Sequence, residues 1–439
     1  MKKIKLGDVL EVKRGTSLAG KYYSTSGELI RLTLGNFNYP SSGFKENTSK
    51  KDIFFAGDVK PEYILKKGDI ITPLTEQVRG LLGETATIPE SDLYIQSGDV
   101  GLIIPNERLV DKRFCYYLLP SPLVKEQLGA NAQQTKIRHT SPDKIKDCTA
   151  FLPALSIQKS IATLLDNIND KINLNNKIIS ELESMAKTIY DYWFLQFDFP
   201  DKNGKPYKSS GGKMVWNEEL KREIPEGWEV YPLAFCISCS KNGDWGNSEP
   251  MNSDDIKVNC FRGADFSSIT TKYLIEAPIR YIKKSNDDRI LTENDLIVEI
   301  SGGSPTQSTG RIGYVNNGFL ERLDNKLVCS NFCKAFSVKS KLYYFWLFST
   351  WKALYDAGIM FNFESKTTGI KNLMFDNLIS DVKVVYPNDD LLTKYQEKCS
   401  LLYEKVQFCL KENQELSSLR DWLLPMLMNG QVTFKDEGI

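Results

Sequence analysis

The chain has a single histidine, His139, among 439 residues. Histidine is the usual general base and metal ligand near neutral pH. One copy with no partner visible in the sequence makes neither a catalytic triad nor a metal centre, so His139 reads as a polar loop or surface residue. No run approaches the ~18 apolar residues of a membrane span, and "MKKIKLGDVLEV" lacks the apolar stretch of a secretory signal. The expected location is cytoplasmic, with no membrane. Nine cysteines, an odd number without an export signal, are expected as reduced thiols. Neither charge is in excess, 56 Lys and Arg against 56 Asp and Glu. Any hold on nucleic acid must then come from local basic patches or a basic partner. Also missing are a glycine-rich cofactor loop and the Asn-Pro-Pro-aromatic motif of an adenine methyltransferase; "NFNYP" (Asn36–Pro40) lacks the paired prolines.

Glycine and proline are absent from Leu155 to Trp193, which marks a long amphipathic helix. With Ile161 as heptad position a, the a series is Ile161, Ile168, Asn175, Leu182, Ile189 and the d series Leu164, Lys171, Ile178, Met185, Tyr192. This apolar seam, broken at Lys171 and Asn175, suits a coiled coil whose register is set by a few polar positions. A second such segment runs from Leu391 to Met428. Lys171 and Lys405, Lys177 and Lys411, and Leu182 and Leu416 all stand 234 residues apart. Upstream, "RHTSPDKIKDCTAFLP" (Arg138–Pro153) matches "KNLMFDNLISDVKVVYP" (Lys371–Pro387). "KKGDIIT" (Lys66–Thr72) matches "TENDLIV" (Thr292–Val298), and "GLLG" (Gly80–Gly83) matches "GRIG" (Gly310–Gly313). The offset grows along the chain, as loop insertions in a duplicated unit produce.

The expected fold is α+β: two similar domains of short β-strands and turns, each followed by a long helix. Two complementary apolar stripes bury each other best. Leu402, Val406, Cys409, Leu416, Leu419 and Leu423 are therefore expected to pack on Ile161, Ile168, Ile178, Leu182 and Ile189. A pseudo-twofold axis between the copies makes the pair an antiparallel coiled coil.

Three partial motifs each carry a defect. "GTSLAGKY" (Gly15–Tyr22) has Walker A spacing, but Tyr22 stands where a Ser or Thr must hold magnesium. Asp201, Glu219 and Lys221 imitate the residues of a metal-dependent nuclease, but "PDKNGKPYKSSGGK" reads as a solvated linker rather than adjacent strands around a metal. Cys236 and Cys239, with Cys260, Cys329 and Cys333, lack the spacing of a zinc ribbon, and a strand sends Cys236 and Cys239 to opposite faces. No metal site is expected.

The stretch "YDYWFLQFDFPDKNGKPYKSSGGKMVWNEELKREIPEGWEV" (Tyr190–Val230) resembles the central conserved region of the DNA specificity subunit of type I restriction-modification systems. "KENQELSSLRDWLLPMLMNGQV" (Lys411–Val432) resembles that family's distal conserved region, and "LPALSIQKSIATLLDNINDKI" its passage into the first spacer helix. The resemblance implies target-recognition domains at 1–153 and 228–387 and spacer helices at 154–197 and 388–430, with a linker at 198–227 and a tail at 431–439. It further implies a non-catalytic chain that reads a split target in double-stranded DNA, with two methyltransferase subunits docked on it and restriction subunits beyond them. S-adenosylmethionine, ATP and magnesium would sit on those partners, and no cofactor on this chain. Two helices of about 38 residues at ~1.5 Å per residue span on the order of 57 Å, enough to hold two readers at least one ~34 Å DNA turn apart. The competing reading is a stand-alone metal-dependent nuclease or DNA-modifying enzyme on a duplicated domain.

Candidate DNA contacts lie in the matched loops. Arg79 and Gly80, with Gly310 and Arg311, occupy glycine turns where a backbone amide can approach a phosphate and an arginine a guanine edge. A second matched polar stretch offers Gln133, Gln134, Thr135, Lys136 and Arg138 in the first half and Thr367, Thr368 and Lys371 in the second. The aromatic runs before them, "FCYYLL" and "LYYFWLF", are expected in the core.

Overall fold

The computed structural model describes residues 1–39, 43–48, 50–76, 78–131, 138–302, 304, 306–367 and 369–434. It divides into two compact units: unit 1 is Met1–Asp170 with Leu416–Ile439, and unit 2 is Lys171–Glu415. The chain is a mixed α+β protein with two long helices, Leu155–Tyr190 and Asp389–Asn429, each contributing to both units. No helix among the described residues is long and apolar enough to cross a membrane.

Unit 1 is built on a four-stranded antiparallel sheet in the order Leu10–Arg14, Val100–Pro105, Ile70–Pro73, Ala86–Thr87. A second sheet pairs Ile30–Arg31 parallel with Tyr94–Ile95 and antiparallel with Phe54–Phe55. Lys2–Lys5 pairs with Thr149–Leu152, the strand that leads into the first long helix. The short helices between are capped by their own sequence: Asp111 accepts from the Arg113 and Phe114 amides, and Ser141 from Lys144.

Unit 2 repeats the strand order of the main sheet and the central pairings of the second. Ile237–Asn242, Cys333–Val338, Asp295–Glu299 and Ile312–Tyr314 form its four-stranded sheet in the same order. Ile256–Phe261 pairs parallel with Lys326–Cys329 and antiparallel with Ile279–Ile282. Glu229–Pro232 pairs with Lys383–Tyr386, the strand before the second long helix. The copies share backbone details as well. A Cβ on Gly15 would stand 2.2 Å from the Ser97 carbonyl oxygen, and one on Gly243 2.0 Å from that of Ser330. Only glycine fits at either place. The expected aromatic cores also form, with Phe114 and Tyr117 buried in unit 1 and Phe345, Trp346 and Trp351 in unit 2.

Within unit 1, Ile157, Ile161 and Leu165 of the first long helix share a core with Leu427 and Met428 of the second, with Leu423 half-buried against it. Within unit 2 the two helix segments run antiparallel: Lys171 and Asn175 meet Glu412, whereas Tyr190 packs on Tyr395. Ile179, Val406, Cys409 and Leu410 are buried between these ends, and Ile178 and Leu182 are half-buried beside them. Ile189 and Leu402 pack at the edge of the unit 2 core, and Leu416 is half-buried.

The seam differs in phase from the expected one. The buried line is Ile161, Leu165, Ile168, Ile172, Asn175, Ile179, Ala186 and Tyr190, while Met185 and Tyr192 are about half exposed. From Ile161 to Ala186 it uses heptad positions a and e rather than a and d, and at Tyr190 it passes to position b. Position e reads Leu165, Ile172, Ile179, Ala186, Trp193 without a polar break, whereas d contains Lys171, so the helix turns its unbroken line inward. Leu419 likewise faces outward at 43 % exposure.

The linker is solvated at most of residues 201–212 and also carries structure of its own. Asp201 to Lys213 is not a bare connector: Tyr207 stacks on Phe199 and Phe199 on Trp228, at 4.6 and 5.0 Å between ring centres. Met214–Asn217 then forms a hairpin with Arg222–Pro225. The first long helix ends before it in a π-helical turn, Asp191–Leu195, and the left-handed residue Phe197.

Candidate nucleic-acid interface

The loop Glu76–Leu82 of unit 1 is organised by one buried carboxylate. Glu76, 3 % exposed, sits at the end of the strand Thr75–Glu76. Its Oε2 accepts the Gly80 amide at 3.0 Å and the Leu82 amide at 3.1 Å. Its Oε1 lies 3.4 Å from Arg138 Nη1. Arg138 stands directly opposite Glu76 on the paired strand Arg138–His139. Two segments distant in sequence, Arg79–Gly80 and Arg138, thus meet on Glu76. Gly80 turns the loop with φ +97°, a conformation open to glycine and strained for side chains with Cβ. The Tyr39 hydroxyl donates to the Arg79 carbonyl at 3.0 Å. The Arg79 side chain is exposed, and no carboxylate among the described residues pairs with it. A cation on a fixed backbone is what a phosphate or guanine edge needs from a protein loop.

Unit 2 builds the matching loop differently. Gly310 has φ +96°, and its amide donates to the Glu299 carbonyl at 2.8 Å. Arg311 is held by Glu299 through two bonds of 2.8 Å and donates to the Gly263 carbonyl at 2.7 Å. The hydrogen bonds to Glu299 raise its guanidinium pKa further. Lys371 lies 3.3 Å from Glu364, whose carboxylate also accepts the Thr309 amide at 2.7 Å and hydroxyl at 3.0 Å. Lys371 stands opposite Gly302 in the sheet, the place that Arg138 takes opposite Glu76. Arg311 and Lys371 therefore hold the loop together, and neither is a free cation. Thr367 is placed by its backbone, paired with Ile370 in the hairpin Glu364–Leu373. Gln133, Gln134, Thr135, Lys136 and Thr368 lie outside the described residues.

The residues of the enzymatic readings stand apart. Asp201 Oδ1 accepts the Asn203 and Lys205 amides at 2.8 Å, while Glu219 pairs with Lys383. All nine cysteines are free thiols. Burial pushes Cys236 and Cys260 up to about 12, away from the thiolate form that binds metal. His139 has a partner that the sequence did not reveal: Nδ1 lies 3.2 Å from Thr75 Oγ1, which donates to Asp99 at 2.9 Å. The hydroxyl serves the carboxylate there, so the three do not form a triad in which a histidine activates the hydroxyl. Glu76 and Glu364 went unnoticed in the sequence. The one signal for Glu76 is an acid closing the apolar strand run "IITPLTE" four residues before a turn glycine.

Residues 1–184 match the family model of the type I restriction modification DNA specificity domain. The MjaIX specificity subunit, a type I restriction enzyme component from Methanocaldococcus jannaschii, is 22 % identical over 346 residues, covering 76 % of this chain and 72 % of its own. The HindI specificity subunit of Haemophilus influenzae is 22 % identical over 423 residues, covering 84 % and 87 %. In fold, the chain is similar to the type I restriction-modification S subunit from M. genitalium, with a TM-score of 0.57 at 16 % identity over 97 % of this chain and 96 % of that one. Along most of its length the sequence is similar to specificity subunits of type I restriction enzymes, and the fold is similar to that of a type I restriction-modification S subunit.

Proposed function

We propose that the chain is the non-catalytic DNA-recognition subunit of a type I restriction-modification complex, with each unit reading one half of a bipartite target in double-stranded DNA. The reading rests on one observation above the rest: the same strand order occurs twice, each copy leading into one long helix. A duplicated reader fits a split target. On this reading the long helices set the spacer between half-sites and dock two methyltransferase subunits, with restriction subunits joining the assembly. S-adenosylmethionine, ATP and magnesium then belong to those partners, and the complex works in the cytoplasm.

The test is methylation mapping of DNA from cells that express the chain with its methyltransferase partner. Exchanging the segment before Pro153 for that of a related subunit changes one half of the methylated sequence and leaves the other half and the spacer intact. Lengthening both helices changes the spacer instead, since each residue adds ~1.5 Å against ~3.4 Å per base pair. If exchange of the first segment altered both half-sites together, the two-reader scheme would be wrong.

A further inference from the structure

Unit 1 contains an open groove of about 760 Å³ lined by Arg14, Tyr23, Arg31, Thr33, Lys50 and Asp99 among others. Its cations are set on ordered backbone. Arg14 ends a strand of the main sheet and donates from Nε to the Gly98 carbonyl at 2.9 Å. No carboxylate among the described residues pairs with Arg14 or with the exposed Lys50. Arg31 is 7 % exposed. Its Nε and Nη2 donate to the Asp52 carbonyl at 3.0 and 2.9 Å, and its guanidinium lies 3.8 Å from the Tyr23 ring centre. The lining carboxylate, Asp99, already accepts the Thr75 hydroxyl. Arg31 is also paired with the Asp52 carboxylate at 3.4 Å, so Arg14 and Lys50 are the lining cations without a carboxylate partner among the described residues.

Unit 2 carries its charges at other positions. With Gly15 and Gly243 as matching points, Arg14 corresponds to Asn242. The helical turns that follow Thr33 and Arg262 align Arg31 with Cys260, and Ser97 with Ser330 aligns Asp99 with Phe332. Unit 2 has Arg262 there, bound by Asp265 at 2.9 and 3.0 Å, and Arg280, whose guanidinium lies 4.4 Å from the Trp245 ring centre. We infer that the unit 1 groove binds phosphates of the DNA backbone through Arg14 and Lys50. This rests on the DNA-reading function above and adds to it a phosphate site distinct from the Arg79 loop.

The experiment measures DNA binding by the full chain assembled with its methyltransferase partner, as a function of salt, for the wild type and for Arg14→Gln, Lys50→Gln and their combination. Each lost phosphate contact lowers the slope of log K against log salt by about 0.9, and the double variant by about 1.8. The methylated sequence stays the same. An unchanged slope with folding intact by circular dichroism overturns the phosphate assignment, as does a changed methylated sequence, which would mean base reading. Titration of the full chain with pyrophosphate and ATP forms the second arm. Tight binding that is lost in the variants while the DNA slope stays constant would make the groove a mononucleotide site and overturn the DNA-backbone assignment. Failure of the wild-type complex to prefer any DNA sequence strikes the recognition reading itself, and is thereby distinct from a failure of the variants alone.

Discussion

Both units close their glycine loop with a carboxylate almost wholly withdrawn from water, but they take it from different strands. In unit 1 Glu76 precedes the loop and gathers the Gly80 and Leu82 amides with Arg138. In unit 2 Glu364 comes from the hairpin beyond and gathers the Thr309 amide with Lys371. The fold thus preserves a task rather than a residue: loop amides held out of water need an acceptor, and a buried acid needs donors and a cation. Unit 2 spends a second cation, Arg311, on Glu299. Unit 1 leaves Arg79 exposed and keeps a basic groove besides. The difference is electrostatic, laid over one strand order.

The largest effect that sharpens this contrast concerns how each unit holds its long helix. In unit 2 the buried Arg322 donates to Gln407 at 2.8 Å and to the Ser268, Lys272 and Tyr273 carbonyls at 2.9 to 3.0 Å. Gln407 in turn donates to Ile269 and Tyr314. Burial lowers the Arg322 pKa to about 10. Arg322→Ala strips these acceptors of their donor inside the core and is expected to cost about 3 to 5 kcal/mol. In unit 1 the counterpart is a hydrogen bond of 2.7 Å from Tyr117 to Asp166 on the first helix. Tyr117→Phe there is expected to cost about 1.5 to 3 kcal/mol. Denaturant melts of the two variants check the ranking; equal losses would mean that the units are anchored alike.

Next in size are the loop acids. Glu76→Ala leaves two amides and Arg138 without their acceptor, and Glu364→Ala does the same to Thr309 and Lys371. Each is expected to destabilise its own unit by about 1 to 3 kcal/mol. Amide exchange should rise at Gly80 and Leu82 in the first variant and at Thr309 in the second. Exchange that rose across both units in either variant would refute the local tie.

How much of this was legible in the sequence follows from the range of the interactions. The duplication could be read because matched segments such as Gly80–Gly83 and Gly310–Gly313 keep local chemistry, and both glycines take nearly the same positive φ. The long helices could be read because their period is local. Their phase is not fixed by period alone, because two seams of equal period are available and the buried one is the uninterrupted line through Leu165, Ile172 and Ile179. The ties of Glu76 and Glu364 depend on pairing between strands about 60 residues apart in unit 1 and on a hairpin in unit 2, and no single-sequence pattern marks such partners. For the same reason Arg311 looked as free as Arg79 although it is bound by Glu299.

That last pair gives a smaller test. Arg79→Ala is expected to leave stability within about 0.5 kcal/mol, because its side chain is exposed. If it reads a base, it relaxes one half-site by about 1 to 3 kcal/mol; if it meets phosphate, it weakens all sequences alike. Arg311→Ala should register first as lost stability in unit 2, by about 1 to 3 kcal/mol, since Glu299 and the Gly263 carbonyl lose their donor. A stability loss for Arg79→Ala as large as for Arg311→Ala would erase the distinction between the loops.

The smallest effect distinguishes the helix packing of the two units by pH. In unit 2, Asn175 donates to Glu412 at 2.7 Å and to Asn413 at 2.9 Å, Asn413 donates to Asn176 at 2.9 Å, and Lys171 lies 3.2 Å from Glu412. Partial burial works to raise the Glu412 pKa, but the hydrogen bonds from Asn175 and Lys171 outweigh it and the net shift is downward. A carboxyl whose folded value is depressed stabilises the folded state above its unfolded value, roughly 4.3, and loses that contribution as pH falls through the folded value. Helix packing in unit 1 has an apolar core of Ile157, Ile161, Leu165, Leu427 and Met428, with Asp166 beside it bonded to Tyr117 and Arg113 rather than to the second helix. Between pH 5 and pH 3, amide protection near Glu412 is therefore expected to fall slightly more than protection near Leu427. Glu412→Gln should remove that excess, because the amide still accepts from Asn175 but no longer titrates. Persistence of the same difference in the Gln variant would assign the acid sensitivity to another group and break this part of the comparison.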